Sequence, residues 1–327
     1  MRLSLFEAFL SLCFVAMVCF GATSASASEK VSVVPLNGQW LFKKDPKNAG
    51  LAEQWWASPR TTNEDWMPAT VPSAWELFAG EDFDGVAWYR KAFRIPSEWQ
   101  GKRIWLEFDS VSTIATAYVN GQEVGSHTGD YVKFRFEITD AVRFGVENIL
   151  TVRVDEAVGH VTQGFLPVIS LHHGGIWGGV RVYATGELAV KVNGIYADAN
   201  PDSGRVTVSV AFEGHTHGGQ FPYELWITPA NQKRKVANAI GFADAEAGEF
   251  SETLAVSSPI LWEPKNPYLY ELHVRLITPK GEASDERSVK FGFRKVETEN
   301  EFLLLNGKPI TFRAVLDWGY YKDKVAP

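Results

Sequence analysis

From residue 31 onward, apolar and polar residues alternate in short runs, the period of strands that turn one face to a core. Val132, Phe134, Phe136 and Ile138 alternate with Lys133, Arg135 and Glu137, which predicts the first set buried and the second largely exposed. Ile104, Leu106 and Phe108 repeat the pattern, and Leu150, Val152 and Val154 supply another inward face. Tyr118 to Val124 centres on Asn120-Gly121, a hairpin signal because both residues tolerate positive φ. Helical periodicity is weak, and only Ala52 to Trp56 reads as a short helical turn. Short strands at this spacing predict an all-β chain that opens with a jelly-roll sandwich.

A break falls at Thr185-Gly186-Glu187, after which Val206, Val208, Val210 and Phe212 alternate again, as do Tyr270, Leu272, Val274 and Leu276. Residues 187–295 approach the roughly 100 residues of an immunoglobulin-like sandwich. The polar, Gly-rich stretch His215 to Gln220 suits a loop between strands. Beyond it, Phe302 to Leu305, Asn306-Gly307 and Lys308 to Val315 read as strand, turn and strand. The predicted organisation is therefore a first sandwich over 28–186, a second over 187–295, and a further element begun in 296–327.

The N-terminus changes the picture of location. Arg2 precedes an apolar run from Phe9 to Phe20, and Ala25-Ser26-Ala27 is a small-x-small site followed by polar Ser28-Glu29-Lys30. Residues 1–27 thus read as a signal peptide for secretion or periplasmic export, with no membrane contact after cleavage. An uncleaved anchor is the competing reading, although Glu7 interrupts the apolar stretch; a lipoprotein would use Cys13 or Cys19. Both cysteines lie in this segment, which leaves none for disulfides or thiolate metal sites in the mature chain. A net charge of −7 and the lack of an extended Lys/Arg cluster point away from nucleic acid. Twelve Trp, ten Tyr and 21 Phe fill sandwich cores, and such rings also stack on sugars.

Several segments together resemble glycoside hydrolase family 2, the group of β-galactosidases, β-glucuronidases and β-mannosidases. Leu36 to Phe42 resembles its opening strand; Val71-Pro72-Ser73-Ala74-Trp75 and Gly85 to Phe93 resemble its galactose-binding-like domain. Gly174-Gly175-Ile176-Trp177-Gly178-Gly179-Val180 is similar to the motif closing that domain. Leu261 to Tyr270 and Phe291-Gly292-Phe293-Arg294 look like the late immunoglobulin-like segments, and Phe302 to Val315 like the lead-in to a (β/α)8 barrel. Such a barrel takes roughly 250 residues, so the chain is expected to hold only its first strand. The resemblance implies retaining hydrolysis of β-glycosidic bonds, with a β-linked carbohydrate as partner and no cofactor. A non-catalytic carbohydrate-binding or scaffolding protein is the alternative.

Retaining glycosidases use two carboxyl groups about 5–5.5 Å apart, and in the resembling family the acid follows an Asn. Asn63-Glu64 reads as a capped turn, and Asn300-Glu301 comes before the first barrel strand. Neither is taken as catalytic, no nucleophile is evident, and this chain alone is expected to be inactive. By resemblance, the Gly-Gly turn lies near the mouth of the active site, which makes Asp84, His172 and His173 candidate substrate contacts. Adjacent residues on a strand point to opposite faces, so the His pair is not expected to hold a metal. Arg313-Ala314-Val315 matches the family pattern at the end of the first barrel strand, with Ala for the usual Gly. Leu316-Asp317-Trp318 replaces the usual Asn-Arg-His and leaves the sugar unassigned. Since C-terminal ends of barrel strands carry function, Arg313, Asp317, Trp318, Tyr320 and Tyr321 complete the binding candidates.

Overall fold

The alternating runs pair into antiparallel sheets in a computed structural model that describes residues 33–57, 65–80, 83–156, 173–214, 219–311 and 313–315. The first strands are β1 (Val33–Pro35), β2 (Gly38–Lys44), β3 (Met67–Val71), β4 (Val86–Arg94), β5 (Arg103–Phe108), β6 (Ile114–Val119), β7 (Gln122–Thr128), β8 (Phe134–Glu137), β9 (Glu147–Asp155) and β10 (Val180–Thr185). A four-stranded sheet in the order β1-β10-β5-β8 packs on a six-stranded sheet in the order β3-β2-β4-β9-β6-β7. Between them lie Phe42, Trp75, Tyr89, Leu106, Phe108 and Val152, all fully buried. The Asn120-Gly121 turn has φ values of 53° and 85°, which Asn and Gly accept at low cost, and joins β6 to β7 as expected. The short helical turn forms as a 3-10 turn at Trp55–Ala57, and helix α1 spans Glu76–Ala79.

The pattern around β8 needs two corrections. Phe134 and Ile138 are buried and Phe136 packs half-buried on the core, but Val132 precedes the strand and is exposed. Arg135, expected outside, has a side chain only 5% exposed. The outer face of this sheet is not a solvent face. Trp105, Glu107 and Tyr183 are also buried there, and Arg135 lies 4.0 Å over the Trp105 ring.

That face abuts the second sandwich, built from β11 (Leu188–Ala199), β12 (Arg205–Gly214), β13 (Gln220–Pro229), β14 (Ala237–Asp244), β15 (Glu249–Ala255), β16 (Tyr270–Ile277) and β17 (Ala283–Phe291). Sheets β11-β12-β15 and β14-β13-β16-β17 enclose a separate core that includes Phe212, Phe221, Leu272, Val274 and Phe293. Both alternating runs read from the sequence, on β12 and β16, point their apolar residues inward. Ser284 Oγ donates to the Leu188 carbonyl at 2.8 Å, and the Val190 N–H donates to Asp285 at 2.9 Å. Arg135 pairs with Glu213 across the junction, and Arg287 lies 4.1 Å over Tyr183.

Strands β18 (Val296–Glu299), β19 (Phe302–Leu305) and β20 (Lys308–Ile310) form a small antiparallel meander. The Asn306-Gly307 turn expected from the sequence links its last two strands. Asn306 accepts from the Lys295 N–H at 2.9 Å and donates to the Trp262 carbonyl at 3.1 Å, fastening the meander to the second sandwich. Leu304 and Leu305 are buried there, whereas Phe302 is exposed. Among the described residues no helix is long and apolar enough to cross a membrane. The segment read as a signal peptide lies outside them.

Candidate functional site

The motif Gly174 to Gly179 runs into β10 as a loop tied down on two sides. The Ser73 N–H donates to the Ile176 carbonyl at 2.9 Å and the Trp75 N–H to the Gly174 carbonyl at 3.0 Å. On the other side, the Ser112 N–H reaches the Gly175 carbonyl at 3.0 Å and the Gly178 N–H reaches the Ser110 carbonyl at 3.0 Å. Close packing requires glycine here: a Cβ on Gly174 would lie 2.0 Å from the Trp75 ring. Gly175 has φ +110° and sits so near the Tyr89 hydroxyl that a Cβ would be 2.8 Å away.

Acidic side chains gather under and beside this loop. Glu76 begins α1 and accepts from the Gly174 N–H at 2.8 Å. Burial pushes its pKa up to about 7, with Asp84 adding to the rise against that hydrogen bond. Glu156 lies just past β9, its N–H bonded to the Gly85 carbonyl at 2.9 Å, and it is fully buried. Burial, then the charges of Glu76, Asp84, Asp130 and Asp155, raise it to about 9. Tyr89 is raised well above the usual phenol range by burial and then by Glu76. At neutral pH the cluster therefore holds protons on carboxyl groups that would be ionised in water.

Aromatic rings form the more open rim. Trp177 donates from Nε1 to the Gly174 carbonyl at 3.1 Å. Tyr131 meets it edge-on at 5.0 Å between centroids, and the His173 ring lies 5.9 Å away. Tyr131 is exposed, so this edge offers an open π-face and polar tips beside the acidic cluster.

Of the residues singled out from the sequence, Asp84 and His173 come to this one place, Asp84 exposed and His173 half-buried. Arg313 is exposed beyond β20 and belongs to a different part of the chain. His172, Asp317, Trp318, Tyr320, Tyr321 and the Asn63-Glu64 pair lie outside the described residues. Glu301 sits exposed in the β18–β19 turn, where Asn300 has φ 53°. Sequence reasoning missed Glu76, Asp130, Tyr131, Glu156 and Trp177 as members of the site. One signal was present: Glu156 continues the inward parity of Leu150, Val152 and Val154, and a carboxylate at a core position marks a special environment. Among the described residues no cluster of three or more His, Cys, Asp or Glu is arranged to hold a metal ion.

Comparison with known proteins places these features in a family. Residues 83–164 match the glycosyl hydrolase 2 galactose-binding domain-like model, and residues 188–294 match the glycosyl hydrolases family 2 model, together more than half of the chain. A β-glucuronidase of Paenibacillus borealis is 29% identical over 311 residues, covering 88% of this chain and 49% of its own. A β-galactosidase of Thermoanaerobacter pseudethanolicus is 29% identical over 251 residues, 73% of this chain and 32% of its own. The crystal structure of a putative β-galactosidase from Bacteroides fragilis superposes with a TM-score of 0.71 at 28% identity, over 86% of this chain and 44% of that one. The chain thus spans half or less of the length of these relatives.

Proposed function

We infer the role of this chain from its family: it belongs to glycosyl hydrolases family 2, and its sandwiches serve as the sugar-facing and supporting β portions of an exported, retaining β-glycosidase. In this reading residues 28–186 are the galactose-binding-like domain, residues 187–295 an immunoglobulin-like support, and residues 1–27 the export signal. Asp84, His172 and His173, together with Arg313, Asp317, Trp318, Tyr320 and Tyr321, contact the glycoside. The relatives named β-glucuronidase and β-galactosidase support β-glycosides as the substrate class.

The carrying observation is the character of the mouth around Gly174 to Trp177. Its rim pairs exposed Asp84 and Tyr131 with Trp177 and His173, which suits a sugar's hydroxyls and apolar ring face. Its two strongly perturbed carboxyls do not form a cleaving pair. Retaining hydrolysis needs one ionised nucleophile and one acid flanking the glycosidic bond, whereas Glu156 is fully buried and Glu76 is bound to the loop backbone. The rim orients; the cleaving carboxylates come from elsewhere.

The experiment is a panel of nitrophenyl β-glycosides given to the purified chain, with calorimetric titration of the same sugars. Binding without turnover, weakened by Asp84→Ala and Trp177→Ala, is the expected outcome. Turnover abolished by Glu76→Gln would overturn the non-cleaving role. N-terminal sequencing of exported protein should begin at Ser28. The second reading, a carbohydrate-binding or scaffolding protein, is favoured by the separate closed core of each sandwich. It predicts tight sugar binding by this chain alone, where the enzyme reading predicts weak binding completed by a catalytic barrel.

A further inference from the structure

The second sandwich carries one edge strand built unlike its other edges. Natural sheets protect exposed edges with charge, proline or bulges. Edge strand β17 carries Asp285, Glu286, Arg287 and Lys290, β15 carries Glu249 and Glu252, and β11 carries Lys191 and Asp198 with a bulge between Val190 and Ile195. Strand β14 has none of these devices from Val236 to Ala243, and its ladder partner is β13 on one side only. Its outward side chains Ile240 and Phe242 are each 70% exposed, among the most exposed large apolar residues described.

Elsewhere on that outer face charge covers the apolar surface: Trp226 is stacked on His273 and lies under Lys235 and Arg275, only 9% exposed. Arg275 bridges Glu224 at 2.9 Å and Glu286 at 2.8 Å, so the charged ladder runs through the middle of the sheet while the apolar residues stand at its rim. Solvent alone would favour neither large side chain at that rim. Gly241, between them, is held opposite Tyr223, where a Cβ would lie 2.3 Å from the hydroxyl. The edge is kept close against the sandwich by that contact.

Charge at the two ends of β14 identifies what fits. Lys233, Arg234 and Lys235 precede the strand, and Asp244, Glu246 and Glu249 close it and follow it, all exposed. A second copy laid antiparallel along β14 brings the basic end of each strand against the acidic end of the other, whereas a parallel arrangement would set like charges together. A two-fold centred on Ala239 places Asp244 across from Arg234 of the second copy, and Phe242 across from Val236. We propose that β14 is a self-association edge, through which two copies of this chain join antiparallel to extend the β14-β13-β16-β17 sheet across both.

The interface is isologous, so its charges can be exchanged between copies. One variant carries Lys233→Glu, Arg234→Glu and Lys235→Glu; the other carries Asp244→Lys, Glu246→Lys and Glu249→Lys. Light scattering and analytical ultracentrifugation of the purified chain should show a dimer in the micromolar range. Each charge variant alone should be monomeric, and an equimolar mixture should restore the dimer, a result that misfolding cannot produce. Phe242→Asp should raise the dimer dissociation constant by about 30-fold or more, as for a buried aromatic anchor. A wild-type monomer throughout that range would overturn the proposal, and so would a dimer insensitive to Phe242→Asp or a mixture that stays monomeric. A monomer whose β14 amides resist hydrogen exchange would place another occupant on the edge, also overturning it.

Discussion

Two regions of this molecule bury carboxylates, and they do so with opposite results. At the junction of the sandwiches, Glu107 accepts from Arg181 Nε at 2.9 Å and from the Tyr183 hydroxyl at 3.1 Å. Its neighbour Asp109 is pushed up by burial, yet Arg181 and Lys133 outweigh this and hold it below the usual carboxylate range. Glu137 is likewise lowered, chiefly by its hydrogen bonds with Arg103. Under the Gly174 loop the facing charges named for Glu156 are all negative, and it rises to about 9. Asp285 falls between the two: Arg287 lies 2.9 Å away, but burial prevails and its pKa is still raised. Burial raises a carboxyl's pKa in both regions, and the charges that face it decide whether that rise is offset or reinforced.

The largest expected effect comes from breaking the compensated region. Glu107→Ala removes the carboxylate that Arg181 and the Tyr183 hydroxyl share, leaving Arg181 on Asp109 and Tyr183 on Arg135, which should cost about 1.5–3 kcal/mol in a denaturant titration. A loss under about 1 kcal/mol would show that the junction is wet. Next, Gly174→Val drives a branched side chain into the Trp75 ring, and the overpacking should cost about 1–3 kcal/mol. If Gly174→Val unfolds at the wild-type midpoint, the loop is not held as described.

The pH dependence separates the regions by sign. Glu76 and Glu156, raised from an ordinary 4.5 to about 7 and about 9, bind protons more tightly in the folded chain. Their contribution is complete below about pH 4.5 and is lost as pH climbs to about 9. Asp109 works in reverse, stabilising above its ordinary 3.8 and losing that contribution as pH falls through its lowered folded value. Thermal unfolding of Glu156→Gln at pH 5.5 and 8.5 should therefore show a smaller drop between the two than wild type does. An equal drop in both proteins would remove Glu156 as its source. The smallest effect is expected at the exposed Asn-Glu pair, where Glu301→Gln should stay within about 0.5 kcal/mol.

Arg135 shows where local reading stops. Its parity on β8 is outward, as the alternation says, but outward here means toward Glu213 and the second sandwich. Period-2 alternation assigns a face; it carries no information about what covers that face. Val132 failed for another reason, since the strand begins at Phe134 and the alternation continues beyond the ladder. In the candidate site, Asp84 and His173 were named from motifs, while Glu76, Asp130 and Glu156 join them only because α1, the β7–β8 connection and the end of β9 converge on one loop.

By itself, the sequence determined the all-β character, the alternation of both sandwich cores, the Asn-Gly turns at 120–121 and 306–307, and the motifs that carry the family. Those features are local, because strand period and turn dihedrals are properties of neighbouring residues. Tertiary structure alone decided which outward faces stay dry, which carboxylates meet a cation, and which sheet edge exposes large apolar side chains. Each of these depends on residues far apart in the chain: Arg135 with Glu213, and Glu76 with Gly174. A carboxylate's energy is set by the charges and solvent around it in space, so Glu107 lies against Arg181 while Glu156, buried near Glu76, Asp84, Asp130 and Asp155, is raised to about 9.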